Sequence, residues 1–144
     1  MTYPQFTTRC RLDTYKPGEW VLCNDLKFLT PGGTTVTVPR GFITDLASIP
    51  RLVQLLPGFD VNGASRKPAV LHDYLYCVQL YTRSICDELF YHALLAEGVQ
   101  PLTARLFYRG VRIGGWMYYD KRSEGLDVNY DFVPADYNWG DTAP

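Results

Sequence analysis

Histidine is scarce in this sequence, and cysteine does not occur in a metal-binding pattern. The 144 residues include two histidines and four cysteines, and no two cysteines form a Cys-x-x-Cys pair. Structural zinc sites need about four such ligands at short spacings, so the pattern excludes a zinc finger. For a protein of a reducing compartment, we expect the thiols to be reduced and buried.

The chain also lacks a surplus of positive charge and a long apolar run. It carries 14 Lys and Arg against 15 Asp and Glu, which leaves no overall excess of cations to neutralise a phosphate backbone. No stretch approaches the ~20 apolar residues that span a bilayer. Residues 1–13 have no cationic start followed by an apolar core. We therefore expect no nucleic-acid partner, no membrane span and no secretory signal peptide.

Apolar and aromatic residues, in contrast, are plentiful. Hydrophobic residues make up 47% of the chain and charged residues 20%, which is the balance of a globular protein. A chain of this length fits one domain, so we predict a single domain over residues 1–144. The 11 Tyr, 7 Phe and 3 Trp favour half-buried surfaces and protein interfaces, because most of these rings combine an apolar body with a polar tip.

The order of local patterns predicts an α+β fold, with N-terminal antiparallel strands packed on about three helices. Residues 1–40 are mainly β, as a meander or a pair of hairpins, because the β-branched run TTVTV follows a Thr-Pro-Gly-Gly turn. Residues 41–67 are rich in loops, with one helical turn near residue 51. Residues 68–116 are helical, and residues 117–144 form an extended arm. The aromatic side chains of the arm predict that it packs on its own domain or on a partner: Tyr130, Phe132, Tyr137 and Trp139.

The first two helices are predicted to form a tight hairpin with a link of only a residue or two. Ser84 and Asp87 resemble a capping pair, which places Asp87 in the first turn of the second helix. Asp87 then lies opposite about residue 78, roughly 9 Å along the helix axis from His72. This geometry predicts that Asp87 is too far away to orient His72 and that Asp45 is the better partner.

The His72-Asp73 pair inside an otherwise apolar helix is the sharpest candidate for chemistry. An ionised carboxylate there costs several kcal/mol unless it is paired, so Asp73 requires an arginine, a histidine or a metal ion. Neighbouring helical residues point about 100° apart, so His72 and Asp73 can serve different groups. The candidate arginines are Arg51, Arg83 and Arg112.

The Thr-Asp-Leu-Ala-Ser motif at residues 44–48 supplies the second group of candidates. Asp45 either caps a turn or orients His72 as a general base. In the alternative interpretation these residues form a buried structural network, joined by Arg51, Arg83, Arg112, Ser48 and Tyr76. A nucleophilic role for Ser48 is a third option, although the motif lacks the context of a nucleophile elbow.

Several spaced motifs resemble a phage and prophage family catalogued as domain of unknown function 1353. They are VPRGFITDLASIPR at 38–51, AVLHDYLY at 69–76, Arg83, DELF at 87–90, Gly98-Val99, Val111-Arg112 and Gly115-Trp116. The resemblance implies phage or prophage origin, expression in the host cytoplasm, and a place in the virion as one option. It implies other phage or host proteins as partners, with a homo-oligomer as another option, and it implies no particular activity.

The run HDYLY at residues 72–76 is similar to the His-Asp-x-x-Tyr helix of secreted phospholipases A2. That resemblance implies His72 as the general base, Asp73 as a ligand of a divalent cation (calcium), and Asp87 as the orienting carboxylate. The glycine-rich calcium loop and dense disulfides of that family are missing. Two hypotheses follow: a structural or interaction component of a phage, which we favour, and a metal-dependent hydrolase.

Overall fold

The computed structural model describes residues 3–46, 48–123 and 132–140, with only the backbone described at 121–123. Within these ranges the chain forms an α+β fold in which the strands precede the long helices, as the sequence predicts. Ala47 of the 44–48 motif and Tyr130 of the predicted arm lie outside the described residues.

The strands form two small antiparallel sheets, with orders β1-β4-β5 and β2-β3-β6. The β2–β3 and β4–β5 pairs are hairpins, one of the two predicted arrangements. In β4, buried Leu26 and Phe28 alternate with exposed Lys27, so one face of the strand joins the core. The strands are β1 (Gln5–Phe6), β2 (Leu12–Lys16), β3 (Glu19–Leu22), β4 (Leu26–Leu29), β5 (Thr35–Val38) and β6 (Ile43–Thr44).

The three predicted helices are present, the helical turn predicted near residue 51 is a short first helix, and the structure adds a short helix after the other four. The helices are α1 (Arg51–Gln54), α2 (Arg66–Val78), α3 (Arg83–Ala96), α4 (Pro101–Gly114) and α5 (Trp116–Ser123). Helix α5 occupies the start of the predicted extended arm, which is a correction. It forms because Tyr118 and Tyr119 pack against the core and the Tyr119 hydroxyl donates to the Tyr81 carbonyl at 2.9 Å.

The link between α2 and α3 is longer than predicted. Gln79 adopts a left-handed conformation (φ +51°) that ends α2, and residues 79–82 connect the two helices. The Thr82 hydroxyl accepts a hydrogen bond from the Ile85 amide at 3.4 Å, so Thr82 rather than Ser84 is the N-cap of α3. Asp87 therefore lies in the second turn of α3, not in the first.

Helix α2 is apolar on most faces because it lies between two hydrophobic clusters. Leu71 and Leu75 pack in the cluster that contains Phe28 of β4 and Phe42, the residue before β6. Ala69, on another face of α2, packs in a second cluster formed mainly by α1, α3 and α4. His72 and Asp73 are thus carried into the interior of the fold.

The described part of the arm packs on its own domain. The Val133 amide donates to the Gly41 carbonyl at 2.9 Å, and the Phe132 ring lies 5.6 Å from that of Phe42. The Arg40 guanidinium lies 3.5 Å from the centroid of the Trp139 ring, a close cation–π contact. Gly41 has φ +96°, and a side chain there would crowd Val133, so glycine suits this junction.

Two further expectations concern the cysteines and the membrane. All four cysteines are thiols rather than disulfides; Cys23 and Cys86 are buried, whereas Cys10 and Cys77 are half-buried. Among residues 3–46, 48–123 and 132–140, no helix combines the length and the apolar character that crossing a membrane requires.

Candidate functional site

Asp87 is the centre of the buried polar network and accepts hydrogen bonds from four side chains. His72 Nε2 and the Tyr76 hydroxyl donate to Oδ1, at 2.7 Å and 2.6 Å. Arg112 Nη1 donates to Oδ2 at 2.8 Å, and Arg83 Nη1 makes a longer contact with the same oxygen at 3.4 Å. The carboxylate is fully buried, so its negative charge is balanced inside the protein by two guanidinium groups.

The network keeps Asp87 ionised despite its burial. Burial raises the pKa of the Asp87 carboxyl, but the hydrogen bonds from His72, Tyr76 and Arg112 outweigh it and hold the pKa below its usual value of 3.8. The pKa of Tyr76 is raised, chiefly by burial and then by the adjacent Asp87 charge. Tyr76 therefore stays a neutral phenol that donates its proton to the carboxylate.

His72 joins Asp87 to a serine on its opposite side. Because the ionised carboxylate can only accept, the proton of this contact is on Nε2, and in the neutral ring Nδ1 accepts from the Ser48 hydroxyl at 3.1 Å. The imidazole lies between the rings of Tyr76 and Phe90, with centroids at 4.1 Å and 4.9 Å. Ser48, His72 and Asp87 thus form a continuous hydrogen-bonded series.

Ser48 also connects this series to Asp73. Its backbone amide approaches Asp73 Oδ1 at 3.4 Å, while the Thr44 hydroxyl donates to Oδ2 at 2.7 Å. Burial raises the pKa of Asp73, and the nearby Asp45 charge adds to the rise, whereas the bonds from Thr44 and Ser48 oppose it. Asp73 and Asp87 are therefore two buried carboxyls whose pKa values shift in opposite directions.

The segment that presents Thr44 and Ser48 is held between β6 and α1. Thr44 pairs with Trp20 of β3, which fixes the start of the segment at the edge of a sheet. Leu46 then adopts φ +61°, a left-handed conformation that is uncommon for a residue with a branched side chain. The resulting turn directs both the Thr44 hydroxyl and Ser48 toward α2.

The structure brings most of the predicted site residues together and leaves two outside. The residues in contact are Ser48, His72, Asp73, Tyr76, Arg83, Asp87 and Arg112. Asp45 is exposed, and the ring nitrogens of His72 are already occupied by Asp87 and Ser48, so the predicted Asp45–His72 pair is wrong. Arg51 is also exposed, on α1.

The predicted ion pair between Asp73 and an arginine is wrong as well. Arg83 and Arg112 bind Asp87 instead, and the hydrogen-bond partners of Asp73 are a hydroxyl and an amide. Neutral donors thus contact both carboxyl oxygens, and burial raises the pKa of Asp73, a shift toward the uncharged form relative to an exposed aspartate.

The prediction that Asp87 lies too far from His72 failed because of the link between the helices. Since α2 ends at Val78 and α3 begins at Arg83, antiparallel packing places Asp87 opposite about residue 74. The remaining offset of two residues is only about 3 Å along the axis, which side chains can span. With the longer link, His72 and Asp87 form a direct hydrogen bond, instead of lying roughly 9 Å apart along the axis as predicted.

Two of the contacts that sequence reasoning missed lie around Asp73 and Tyr76. The first is the hydrogen bond of Thr44 to Asp73, because nothing in the 44–48 motif indicated that these two residues lie close together. The second is the close approach of Gly115, where a Cβ atom would lie 2.6 Å from the Tyr76 hydroxyl oxygen. A glycine just beyond α4 is the sequence signal that could have indicated this contact.

The Ser48–His72–Asp87 series is buried from solvent. The relative exposure of Ser48 is 2%, and that of His72 and Asp87 is 0%. Three cavities, which include a groove of about 390 Å³ between α3 and α4, are lined by residues other than these. In the described part of the chain, no three His, Cys, Asp or Glu side chains cluster closely enough to hold a metal ion.

Comparison with known proteins assigns a family without an activity. The family described as "Protein of unknown function (DUF1353)" matches residues 20–111. An uncharacterized protein, y4jT, of Sinorhizobium fredii (strain NBRC 101917 / NGR234) is 33% identical over 94 residues, which are 65% of this chain and 28% of that protein. The chain thus spans less than a third of the length of this curated relative, and no solved structure matches it. The chain belongs to the DUF1353 family of proteins of unknown function.

Proposed function

We propose that the protein is a non-enzymatic interaction component of a bacteriophage or prophage, expressed in the host cytoplasm and acting in the virion, its tail or its assembly. The observation that carries the proposal is the burial of His72 and Asp87, neither of which has any exposed surface. A general base must reach water or substrate, and this imidazole is enclosed by a carboxylate, a hydroxyl and two aromatic rings.

The contacts of the network support a role in stability. Its members come from the 44–48 segment and from α2, α3 and α4, so the network ties together elements that are far apart in sequence. Buried polar groups that are fully hydrogen-bonded make a fold rigid and specify one packing arrangement. Phage origin rests on the resemblance of the spaced motifs, and the high aromatic content favours protein contacts.

The experiment compares wild type with His72→Asn for folding and for catalysis. We expect wild type to hydrolyse neither p-nitrophenyl esters nor phospholipid vesicles, with or without calcium, and His72→Asn to unfold at lower urea concentration. In cells that produce the phage, a tagged chain should crosslink to defined phage or host proteins. Hydrolysis that is lost in a stably folded His72→Asn variant would contradict the proposal.

A second candidate, a serine hydrolase, is favoured by one observation. The Ser48 hydroxyl, both nitrogens of His72 and the Asp87 carboxylate lie in series at 3.1 Å and 2.7 Å, the arrangement that activates a serine nucleophile. Displacement of the 44–48 segment would have to open the site. A fluorophosphonate probe should then label Ser48 in wild type and not in Ser48→Ala, whereas the interaction proposal predicts no labelling.

The metal-dependent hydrolase of the sequence analysis is a separate candidate, with His72 as the general base for water, and it assigns calcium to Asp73. Both carboxyl oxygens of Asp73 already have donors, the Thr44 hydroxyl and the Ser48 amide, and among the described residues no three His, Cys, Asp or Glu side chains cluster around it, so the site offers few of the six to eight oxygen ligands that calcium takes. A calcium titration followed by thermal melting tests the assignment: a rise in Tm that Asp73→Asn abolishes would support a calcium site.

A further inference from the structure

Helix α4 carries an apolar stripe on its exposed side, formed by Leu102, Leu106 and Ile113. At 100° per residue these three side chains fall within an arc of about 40°. Leu102 is 82% exposed, Ile113 78% and Leu106 48%, although all three are large aliphatic residues. The buried face of the same helix, which includes Phe107 and Val111, already packs in the core, so the stripe is a second apolar surface.

One edge of the stripe is basic and borders a groove. Arg105 and Arg109 are exposed, and within the described residues neither has an ion-pair partner. They line a groove of about 390 Å³ between α3 and α4, together with Tyr91, Tyr108 and Glu88. Of the three arginines in Pro101–Gly114, Arg112 is paired with Asp87, which leaves Arg105 and Arg109. The helix has no acidic residue, so this edge of α4 is cationic in a chain whose net charge is −1.

The other edge of the stripe is covered by α1, which adds apolar surface. A side chain at Gly110 would overlap Val53, and one at Gly114 would lie 2.8 Å from Pro50, so α1 packs directly on these two glycines. The same short segment carries Leu52 and Leu55, both mostly exposed. Contiguous apolar surface of this kind on a soluble domain marks an interaction site.

We propose that this surface binds an amphipathic helix of a partner protein, with aliphatic residues on one face and Asp or Glu along one edge. The stripe spans about 16 Å, so a partner helix of about three turns covers it. Its apolar residues at i, i+4, i+7 and i+11 would bury the stripe, and its acidic edge would pair with Arg105 and Arg109. The inference rests on the proposed role as an interaction component and names the surface and the partner chemistry.

Charge favours this occupant over two others. Membrane binding through electrostatics uses clusters of about four to eight Lys or Arg, whereas this edge has two arginines. A homodimer that packed α4 on α4 would bring the arginines of both copies into one interface without an acidic residue from α4 to pair with them. A partner helix with an acidic edge meets neither difficulty.

The test uses two synthetic peptides of about 16 residues with the same apolar face. One carries Glu along an edge of the helix, and its twin carries Lys at the same positions. Binding of fluorescent peptide to the full chain is measured by anisotropy at low and high salt. One double variant is Leu102→Ser with Ile113→Ser, and the other is Arg105→Glu with Arg109→Glu. The matched controls are Leu80→Ser and Arg9→Glu, at exposed residues that are not part of α4.

We expect the Glu peptide to bind at least about tenfold more tightly than the Lys peptide, with the preference reversed by the double Glu variant. The double Ser variant should lose affinity at least about tenfold, and both controls should match wild type. Equal binding of the two peptides, no binding, or equal losses in the controls would overturn the proposal.

Two further measurements test the other two possible occupants of this surface, a second copy of the chain and a lipid surface. Sedimentation velocity that shows a dimer dissociated by Leu102→Ser would assign the surface to a second copy of the chain and overturn the proposal. Cosedimentation with vesicles of phosphatidylglycerol that competes with the peptide would assign it to a lipid surface, with the same consequence. If partners crosslink elsewhere on the chain, this inference fails while the proposed function stands.

Discussion

His72 Nε2 lies 2.7 Å from Asp87 Oδ1, and this contact joins α2 to α3 through two residues that are fifteen positions apart in sequence. The same carboxylate accepts from Arg112 on α4, and Arg83 Nη1 also contacts the Arg112 carbonyl at 3.0 Å. Asp87 is therefore the point at which α2, α3 and α4 meet through polar contacts. Its removal should affect the whole helical layer, and the predictions below begin with it.

Asp87→Asn is expected to destabilise the protein by about 3–5 kcal/mol, because it leaves two half-buried guanidinium groups without their buried anion. Urea unfolding at neutral pH, followed by circular dichroism, measures the change. Glu88→Gln is the matched control, since Glu88 is exposed on the same helix and its change should stay within about 0.5 kcal/mol. Equal effects of the two substitutions would contradict the central role of Asp87.

Acid should remove the contribution of Asp87. Its pKa in the folded protein is lowered, so the stability that it supplies is fully present above the usual carboxyl value of 3.8 and is lost as pH falls through the lower folded pKa. Urea midpoints measured from neutral to acidic pH should therefore fall more steeply below about pH 4 for wild type than for Asp87→Asn. Parallel curves would contradict the prediction.

The contribution of Asp73 to stability should have the opposite pH dependence, and Asp73→Asn should change the free energy of unfolding only slightly at neutral pH. The pKa of Asp73 is raised in the folded state, so protonation of Asp73 adds stability as pH falls through that raised pKa toward 3.8. Asparagine can still accept from the Ser48 amide and donate to the Thr44 hydroxyl, so the cost at neutral pH should be about 1 kcal/mol or less. A loss of several kcal/mol would show that the ionised carboxylate is needed.

Gly115→Ala should weaken the Tyr76–Asp87 hydrogen bond. The added Cβ would lie 2.6 Å from the Tyr76 hydroxyl oxygen and 2.6 Å from the Val111 carbonyl, so the ring or the helix end must move, at a cost of about 1–3 kcal/mol. Gly32→Ala is the control, because the nearest atom to its added Cβ is Thr30 Oγ1, at 3.8 Å. Thermal melting compares the two, and a neutral Gly115→Ala would contradict this account of the contact.

The Cys10 and Cys86 thiols should react slowly in the folded protein. Burial raises the pKa of Cys10 to about 11 and that of Cys86 to about 12, and only the thiolate is the nucleophile. At pH 8 iodoacetamide should label both residues at least about a hundredfold faster in urea than in buffer. Site-resolved mass spectrometry measures the rates, and comparable rates in the two conditions would show that the thiols are accessible and activated.

Local patterns were sufficient for most secondary structure. The β-branched run that includes β5 and the turn before it are local signals, and α4 begins at Pro101, a residue type that suits the first helical position, inside the predicted helical region 68–116. The helical turn predicted near Arg51 is present as α1. Helix α5 was missed because its stability comes from the packing of Tyr118 and Tyr119 on the core, a contact that local propensity does not include.

The sequence by itself determined that His72 and Asp73 would enter the interior and would need polar partners, because they interrupt an apolar helix and burial of unpaired charge is costly. Only the tertiary structure decided which partners they have. The left-handed Gln79 and the link at 79–82 set the register of α2 against α3, and this register brings Asp87 to His72. The pairing of Thr44 with Trp20 at the sheet edge likewise positions the Thr44 hydroxyl that donates to Asp73. These registers depend on the backbone geometry of several residues that are distant in sequence, so no local sequence pattern predicts them.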